Sequence, residues 1–233
     1  GLIIADHFQM LALSTLTVFE FANLVAEHPF YQPVVYSEHG GTVRSSSGIG
    51  VDSTKLTEET LVDTWLVAGV LSPVEDPASP GVIHFLQTTA RQARRIAGVC
   101  TGAFVLAQAG LLEQKRATTH WAHSQSLASR HPTIQLEDDR IFIIDDTIWT
   151  SAGMTAGLDM ALGMVEKDLG ADIARTVAHR LVMNQRRSGG QTQHSEMLAL
   201  APRSDRLQTA LEYARHNLHK TLTVEILADA VHV

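Results

Sequence analysis

The sequence predicts an α/β protein, a mostly parallel sheet sandwiched by helices, followed by a short all-α segment towards the C-terminus. Three observations carry that expectation. Over residues 1–185, short apolar runs alternate with helical patterns, as repeated β/α units require. A glycine-flanked cysteine, Gly98-Val99-Cys100-Thr101-Gly102, falls where an apolar run passes into a helical one. After residue 185 the pattern breaks into a polar stretch with two adjacent glycines, then resumes as amphipathic helix alone.

Taken in order, residues 2–5 (Leu-Ile-Ile-Ala) form the first strand. The run is too short for a signal-peptide core and lacks a basic flank. Because the chain opens almost inside this strand, native residues are expected before Gly1. Residues 10–27 form a helix with Leu11, Ala12, Leu16, Phe19 and Leu24 on one face. Residues 33–37 are the next strand, Gly40-Gly41 a turn, and 42–52 a β-ribbon. Thr57-Glu58-Glu59 opens a short helix with its acids near the positive end. Residues 65–68 are a strand stopped by Gly69.

Residues 80–94 are helical, and 95–99 are a strand ending at Cys100. Residues 101–109 are a helix closed by Gly110. A short strand at 117–120 precedes a helix at 122–130. Strands follow at 134–136, 141–144 and 147–151, the last two turning at Asp145-Asp146. Long helices occupy 155–168 and 171–184. Then Arg186-Arg187-Ser188-Gly189-Gly190-Gln191-Thr192-Gln193 has the composition of an interdomain linker. The domains are therefore expected at 1–186 and 204–233, with a linker at 187–203. In the second, Leu207, Leu211, Ala214 and Leu218 mark one helical stripe. Thr223 is an N-cap, with Glu225 in the first turn and Leu227, Ala228 and Val231 behind it.

With 45% hydrophobic and 18% charged residues over 233 positions, the composition is that of an ordinary soluble globular chain. No apolar run approaches the ~20 residues of a membrane span. One cysteine excludes an internal disulfide and points to a reducing compartment, the cytoplasm. The net charge of -7 argues against whole-surface attraction to nucleic acid. Residues 175–220, however, hold eight Lys/Arg against three acids, so a basic stretch follows an acidic body.

The glycine-flanked cysteine has the context of a nucleophile elbow, here G-x-C-x-G between strand and helix. Such a turn forces its central residue into strained backbone, and nearby glycines relieve the crowding. At a helix N-terminus, free N–H groups and the dipole favour a thiolate and can hold an anion or a carbonyl. A lone cysteine outside this context is ordinarily a small buried hydrophobe. His120 is the base expected of a Cys-His pair; the alternative is that its imidazole merely caps or packs near the strand end. His120 and His123 stand at helical i, i+3 spacing, but no third ligand follows at motif spacing, so no metal is expected. Gly153-Met154-Thr155-Ala156-Gly157 opens a helix after a strand, and Gly69 ends another. Ligands of open α/β sheets sit beyond the carboxyl ends of strands. The expected ligand-binding residues are thus Cys100, Thr101, Gly102, Gly69, His120, Ser151 and Gly153.

Residues 97–112 (Ala-Gly-Val-Cys-Thr-Gly-Ala-Phe-Val-Leu-Ala-Gln-Ala-Gly-Leu-Leu), followed by Arg116-Ala117-Thr118-Thr119-His120-Trp121, resemble the PfpI-type, class I glutamine amidotransferase-like fold. They are similar above all to its branch at the N-terminus of AraC-type transcription regulators. Trp149-Thr150-Ser151-Ala152-Gly153, Thr155-Ala156-Gly157-Leu158-Asp159 and Arg186-Arg187-Ser188-Gly189-Gly190-Gln191 support the resemblance. The tail, from Asp205-Arg206-Leu207 through 222–230, resembles the opening of an AraC-type helix-turn-helix domain.

The resemblance implies a regulator that binds DNA through its complete C-terminal domain, senses a small metabolite such as an amino acid, amine or betaine-like compound, and self-associates as a homodimer. No cofactor and no membrane partner are implied. The base-reading helix would begin past Val233, so the DNA-contacting residues are unknown. Enzymes of this fold, isonitrile hydratase among them, pair the thiol with an acid near the first helix. Registering that helix on 18–23 puts the acid's position near Ser14, which cannot act as a general base, with Glu20 as the remaining candidate. The alternative to the regulator is therefore a Cys-dependent hydratase or hydrolase using Cys100 and His120. A redox sensor with an oxidisable Cys100 is a third option.

Overall fold

The computed structural model describes residues 1–76, 78–88, 90–183, 187–190, 192–193, 205–217 and 219–231. The chain divides into two compact units, Gly1–Gln193 and His194–Val233.

The first unit is built on an eight-stranded sheet. Its strands are β1 (Leu2–Ile3), β2 (Val35–Ser37), β3 (Gly41–Arg44), β4 (Gly50–Lys55), β5 (Thr64–Val67), β6 (Arg95–Val99), β9 (Phe142–Asp145) and β10 (Ile148–Ser151). Across the sheet they run β3-β4-β2-β1-β5-β6-β10-β9. All neighbouring pairs are parallel except the two edges, where β3 pairs antiparallel with β4 and β9 with β10. The expected ribbon at 42–52 is the first of these edges. Two further strands, β7 (Arg116–Ala117) and β8 (Gln135–Leu136), form a small parallel sheet of their own.

Helices cover both faces, and the alternation of side chains along each strand decides which helix meets which residue. Leu2, Leu66, Ala97, Val99 and Trp149 point to the face packed by α1 (Ser14–Ala26), α5 (Met154–Leu169) and α6 (Ala171–Arg180). Ile3, Trp65, Val67, Ile96 and Ile148 point to the other, packed by α2 (Pro80–Thr88), α3 (Gly102–Gln108) and α4 (Trp121–Arg130). The mixed α/β architecture expected from the sequence is the one found.

Several boundaries differ from expectation for local reasons. The helix expected at 10–27 opens as a 3-10 turn, Met10–Leu13, before α1. There the Ser14 and Thr15 hydroxyls donate to the Leu11 and Ala12 carbonyls and compete with the helical ladder. Of the expected face, Ala12 and Phe19 are buried but Leu11 and Leu24 are exposed, and Thr15, Val18 and Ala22 are buried besides. At Thr57-Glu58-Glu59 there is only a turn, because the Thr60 hydroxyl accepts from the Thr57 N–H (3.0 Å) and closes the segment on itself. Of the helix expected at 80–94, Pro80–Thr88 is α-helical and Ala90–Gln92 a 3-10 turn, and that expected at 171–184 stops at Arg180, just before Val182 with its left-handed φ of 53°. Residue 184 lies outside the described residues. The strand expected at 117–120 is cut to Arg116–Ala117, since Thr118 donates its N–H to the Thr150 hydroxyl (2.9 Å) instead of to a ladder.

The second unit contains α7 (Asp205–His216) and α8 (Val224–Ala230), which lie against each other. The Thr223 hydroxyl accepts from the Ile226 N–H (3.4 Å), the cap the sequence predicts. Residue 218 of the expected apolar stripe lies outside the described residues. Among the described residues, no helix is long and apolar enough to cross a membrane.

The amino ends of the central strands are tied by charge. Asp168, near the end of α5, pairs with Arg95 at the start of β6 and with Arg94 (2.6 Å), and it accepts from the Tyr31 hydroxyl (2.9 Å). Its side chain and that of Arg95 are only 3% and 4% exposed. Burial works against the Asp168 carboxylate, but the two guanidinium groups hold its pKa below the ordinary value. Replacing Asp168 by Asn leaves Arg95 buried without its counter-charge, so a loss of about 3–5 kcal/mol is expected in urea unfolding at neutral pH. The wild-type advantage should fade as the pH falls below the ordinary carboxylate range, where the folded-state pKa lies. A loss under about 1 kcal/mol would show that the network does not hold α5 to the sheet.

Candidate functional site

The strand β6 runs directly into α3 through a single corner residue. Cys100 holds a left-handed φ of 57°, the conformation an elbow demands of its central residue. Such backbone costs about 1–3 kcal/mol in a residue with a Cβ, and persists only where packing over-determines it.

Glycines supply that packing. A Cβ on Gly98 would lie 2.9 Å from the Ala103 nitrogen, and one on Gly69 would lie 2.8 Å from the Thr101 nitrogen. A Cβ on Gly102 would collide with the Val67 carbonyl oxygen. On the opposite face, a Cβ on Gly157 would approach Val99 to 2.9 Å. These four positions let β5, α3 and α5 close around the corner without side chains between them.

Hydrogen bonds tie the corner on three sides. The Cys100 N–H donates to the Ser151 carbonyl at the end of β10 (3.1 Å). The Thr119 hydroxyl donates to the Cys100 carbonyl (3.0 Å), and the Thr101 hydroxyl to the Val70 carbonyl (2.6 Å). The carboxyl ends of β5, β6 and β10 therefore bring Gly69, Cys100, Thr101, Gly102 and Ser151 together, as the strand-end argument anticipates. All five are buried. Ser151 leaves its hydroxyl oxygen buried and without a hydrogen-bond partner. His120 and Gly153 stand at the partly exposed rim, the imidazole Cδ2 3.6 Å from where a Gly153 Cβ would be.

The chemistry of the thiol differs from the sequence expectation. Cys100 is 1% exposed, and burial pushes its pKa up to about 11, against a weaker opposing effect of Thr101. Desolvation of the charged form outweighs the helix N-terminus that was expected to favour a thiolate. His120 is engaged within its own helix start. Its Nδ1 accepts from the Ala122 N–H (3.3 Å) and caps α4, while the ring stacks on Trp121 at 5.6 Å. Burial and the neighbouring His123 lower its pKa. No hydrogen bond among the described residues joins His120 to Cys100.

Ser14 is half-buried and donates to the Leu11 carbonyl (2.6 Å). Glu20 is exposed on α1. Among the described residues, no group of three His, Cys, Asp or Glu is placed to hold a metal ion. A cavity of about 530 Å3 lined by Phe19, Tyr31, Arg94 and Arg95 lies at the amino ends of the strands, not at Cys100.

Two features escaped the sequence reading. The stretch that looks like a linker is docked on the first unit as far as Gln193. Arg187 forms an ion pair with Asp159 of α5 (2.7 Å), whose side chain is fully buried, and its N–H donates to the same carboxylate (2.9 Å). Gln193 bonds to the backbone on both sides of His120. The signals were the Arg-Arg-Ser-Gly-Gly-Gln run and the buried Asp in the α5 pattern, but neither names its partner across so long a separation.

The profile of the DJ-1/PfpI family matches residues 6–167. The chain belongs to that family. Its relatives include the HTH-type transcriptional regulator GlxA of Rhizobium meliloti, 33% identical over 91% of this chain and 68% of the relative. They also include an isonitrile hydratase of Pseudomonas putida, 38% identical but over 60% of each chain. Among solved structures, an AraC family transcriptional regulator from Pseudomonas putida superposes with a TM-score of 0.68 at 25% identity, covering 77% of this chain and 97% of that one. The chain spans about two thirds of the length of the curated regulators it matches.

The burial of Cys100 makes its reactivity testable. Alkylation by iodoacetamide at pH 8 should be on the order of a hundredfold slower than for a free cysteine, and should keep rising towards pH 11. A rate that levels off below pH 8 would contradict the desolvated corner.

Proposed function

We propose that this chain is the sensing part of an HTH-type transcription regulator that works in the cytoplasm. In this reading a small metabolite binds at the Cys100 corner, and the second unit is the start of a DNA-binding domain. The single observation that carries it is the combination at the corner: elbow geometry with an enclosed thiol to which, among the described residues, no base or acid is hydrogen-bonded. That arrangement keeps the elbow backbone, around which an effector site can open, and gives the thiol no hydrogen-bonded partner of the kind nucleophilic catalysis uses. The relatives named as regulators, and the capped α8 that follows an α7 with Arg215 and His216 in its last turn, support the same reading.

Thr101, Gly102, Ser151 and Gly69 would form the floor of the site, and His120 and Gly153 its mouth. The unpartnered Ser151 hydroxyl would bond a polar group of the effector. Since the corner is closed, an effector would select a conformation in which the rim at His120 and Gly153 has moved. Its differential affinity for that state sets the strength of the switch. Self-association as a homodimer would place two DNA-binding domains on two half-sites.

The second reading is a hydratase of the isonitrile hydratase kind, favoured by the 38% identity over 145 residues to that enzyme. One substitution separates the two. In the full-length protein, Cys100→Ser should leave operator binding within about threefold of wild type, as for a group outside the DNA contacts. The unsubstituted protein should show no turnover of isonitriles, nitriles or small amides above the buffer rate. Turnover lost on Cys100→Ser would replace the regulator with the enzyme.

A further inference from the structure

Gln193, the last residue of the first unit, sits in a built socket. Its side-chain carbonyl accepts from the Trp121 N–H (3.0 Å), and its Nε2 donates to the Thr119 carbonyl (2.9 Å) and the Asp138 carbonyl (2.7 Å). The Thr118 hydroxyl lies 3.3 Å from the same nitrogen. A primary amide has two N–H donors and one oxygen, so these three backbone groups satisfy it. The Gln193 main-chain N–H donates to Asp139 as well (2.8 Å). One side chain thus bridges the 118–121 loop to the 138–139 loop.

The first of those loops is part of the elbow. Thr119 is fully buried, and its hydroxyl donates to the Cys100 carbonyl while its own carbonyl accepts from Gln193. The corner and the exit of the chain are therefore two hydrogen bonds apart, through a single residue. Behind Gln193 the chain is held again, with Arg187 on Asp159, the Gly190 carbonyl on Arg140, and Gly189 so close to the Phe142 carbonyl that a Cβ would collide. Nothing in the composition of this stretch requires such anchoring.

We propose that Gln193 is a latch that couples the state of the Cys100 corner to the tether of the second unit, an inference that rests on the sensor reading above. When the rim at 119–121 moves to admit an effector, the amide loses two of its three backbone partners, and the strap from residue 188 to 193, left with its holds on Asp139, Arg140 and Phe142, opens more often. Six more residues in the tether add roughly 20 Å of reach at full extension. That change in tether length alters how often two tethered DNA-binding domains engage neighbouring half-sites together. The latch needs neither a shared interface between the units nor a contact of the second unit with the effector.

Hydrogen exchange on the whole 233-residue chain tests the coupling without any effector. Thr119→Val, which loses one hydrogen bond, should speed amide exchange over 187–193 by about fivefold, and Gln193→Ala, which loses three, by more. The double variant should be no faster than the faster single one, because both act on one latch. Thr119→Ser, which keeps the hydroxyl, should behave as wild type. Wild-type exchange over 187–193 in Thr119→Val, or a double variant whose effect is the product of the two singles, overturns the latch.

Should Thr119→Val fail to fold, Gln193→Glu carries the test, since a carboxylate cannot donate to the two carbonyls. It should speed exchange at 119–121, and wild-type exchange there overturns the proposal. A coupled latch in a full-length protein whose DNA affinity responds to no small molecule leaves the latch standing and removes the sensor. A responsive protein with uncoupled Thr119 and Gln193 removes the latch alone.

Discussion

Everything at the carboxyl end of the sheet depends on one backbone conformation, the left-handed turn at Cys100. It lets β6 become α3 without an intervening loop. The neighbouring segments must then approach to distances that no Cβ permits, and Gly69, Gly98, Gly102 and Gly157 meet that demand. The same close approach excludes water from the sulfur. A corner shaped to expose a nucleophile instead holds a thiol whose ionisation is opposed by its own packing. Geometry and reactivity separate here because they answer to different things, backbone sterics in one case and solvent access in the other.

The helix α5 links the two ends of the first unit. Over its 16 residues it runs from Gly153 beside His120 to Asp168 in the arginine network, a length of roughly 24 Å. Midway, the buried Asp159 holds Arg187. The helix thus carries one wall of the corner, the ion network that fixes the sheet's amino ends, and an anchor for the departing chain. Buried charge at Asp168 and Asp159 is tolerated because each carboxylate meets a guanidinium with further donors around it. These pairs restrict how α5 can lie on the sheet, a restriction that apolar packing alone imposes less strictly.

The exit of the chain follows from the same economy of unsatisfied groups. The loop at 118–121 leaves the small β7–β8 sheet and exposes backbone groups that no ladder partner meets. Thr150 and Gln193 satisfy them in turn, while the Thr119 hydroxyl donates to the Cys100 carbonyl. A segment rich in glycine and serine is ordinarily a free tether. Here it docks because the surface it crosses offers a carboxylate to Arg187 and three backbone groups to one amide.

Much of the fold is legible in the residues themselves. Alternating apolar runs and helical stripes specify parallel β/α units, because strand and helix periods are local and survive without a partner. The elbow is legible too, since glycines two before and two after Cys100 report a steric need of the backbone at that point. Thr223 announces α8 by the same local logic. Tertiary structure alone decided the rest. That the thiol is buried and that Arg187 and Gln193 are anchored depend on groups brought together from distant parts of the chain, whereas the His120 cap is a local contact with Ala122. Hydrogen bonding and desolvation are set by what surrounds an atom in space, and sequence order carries no record of that distance.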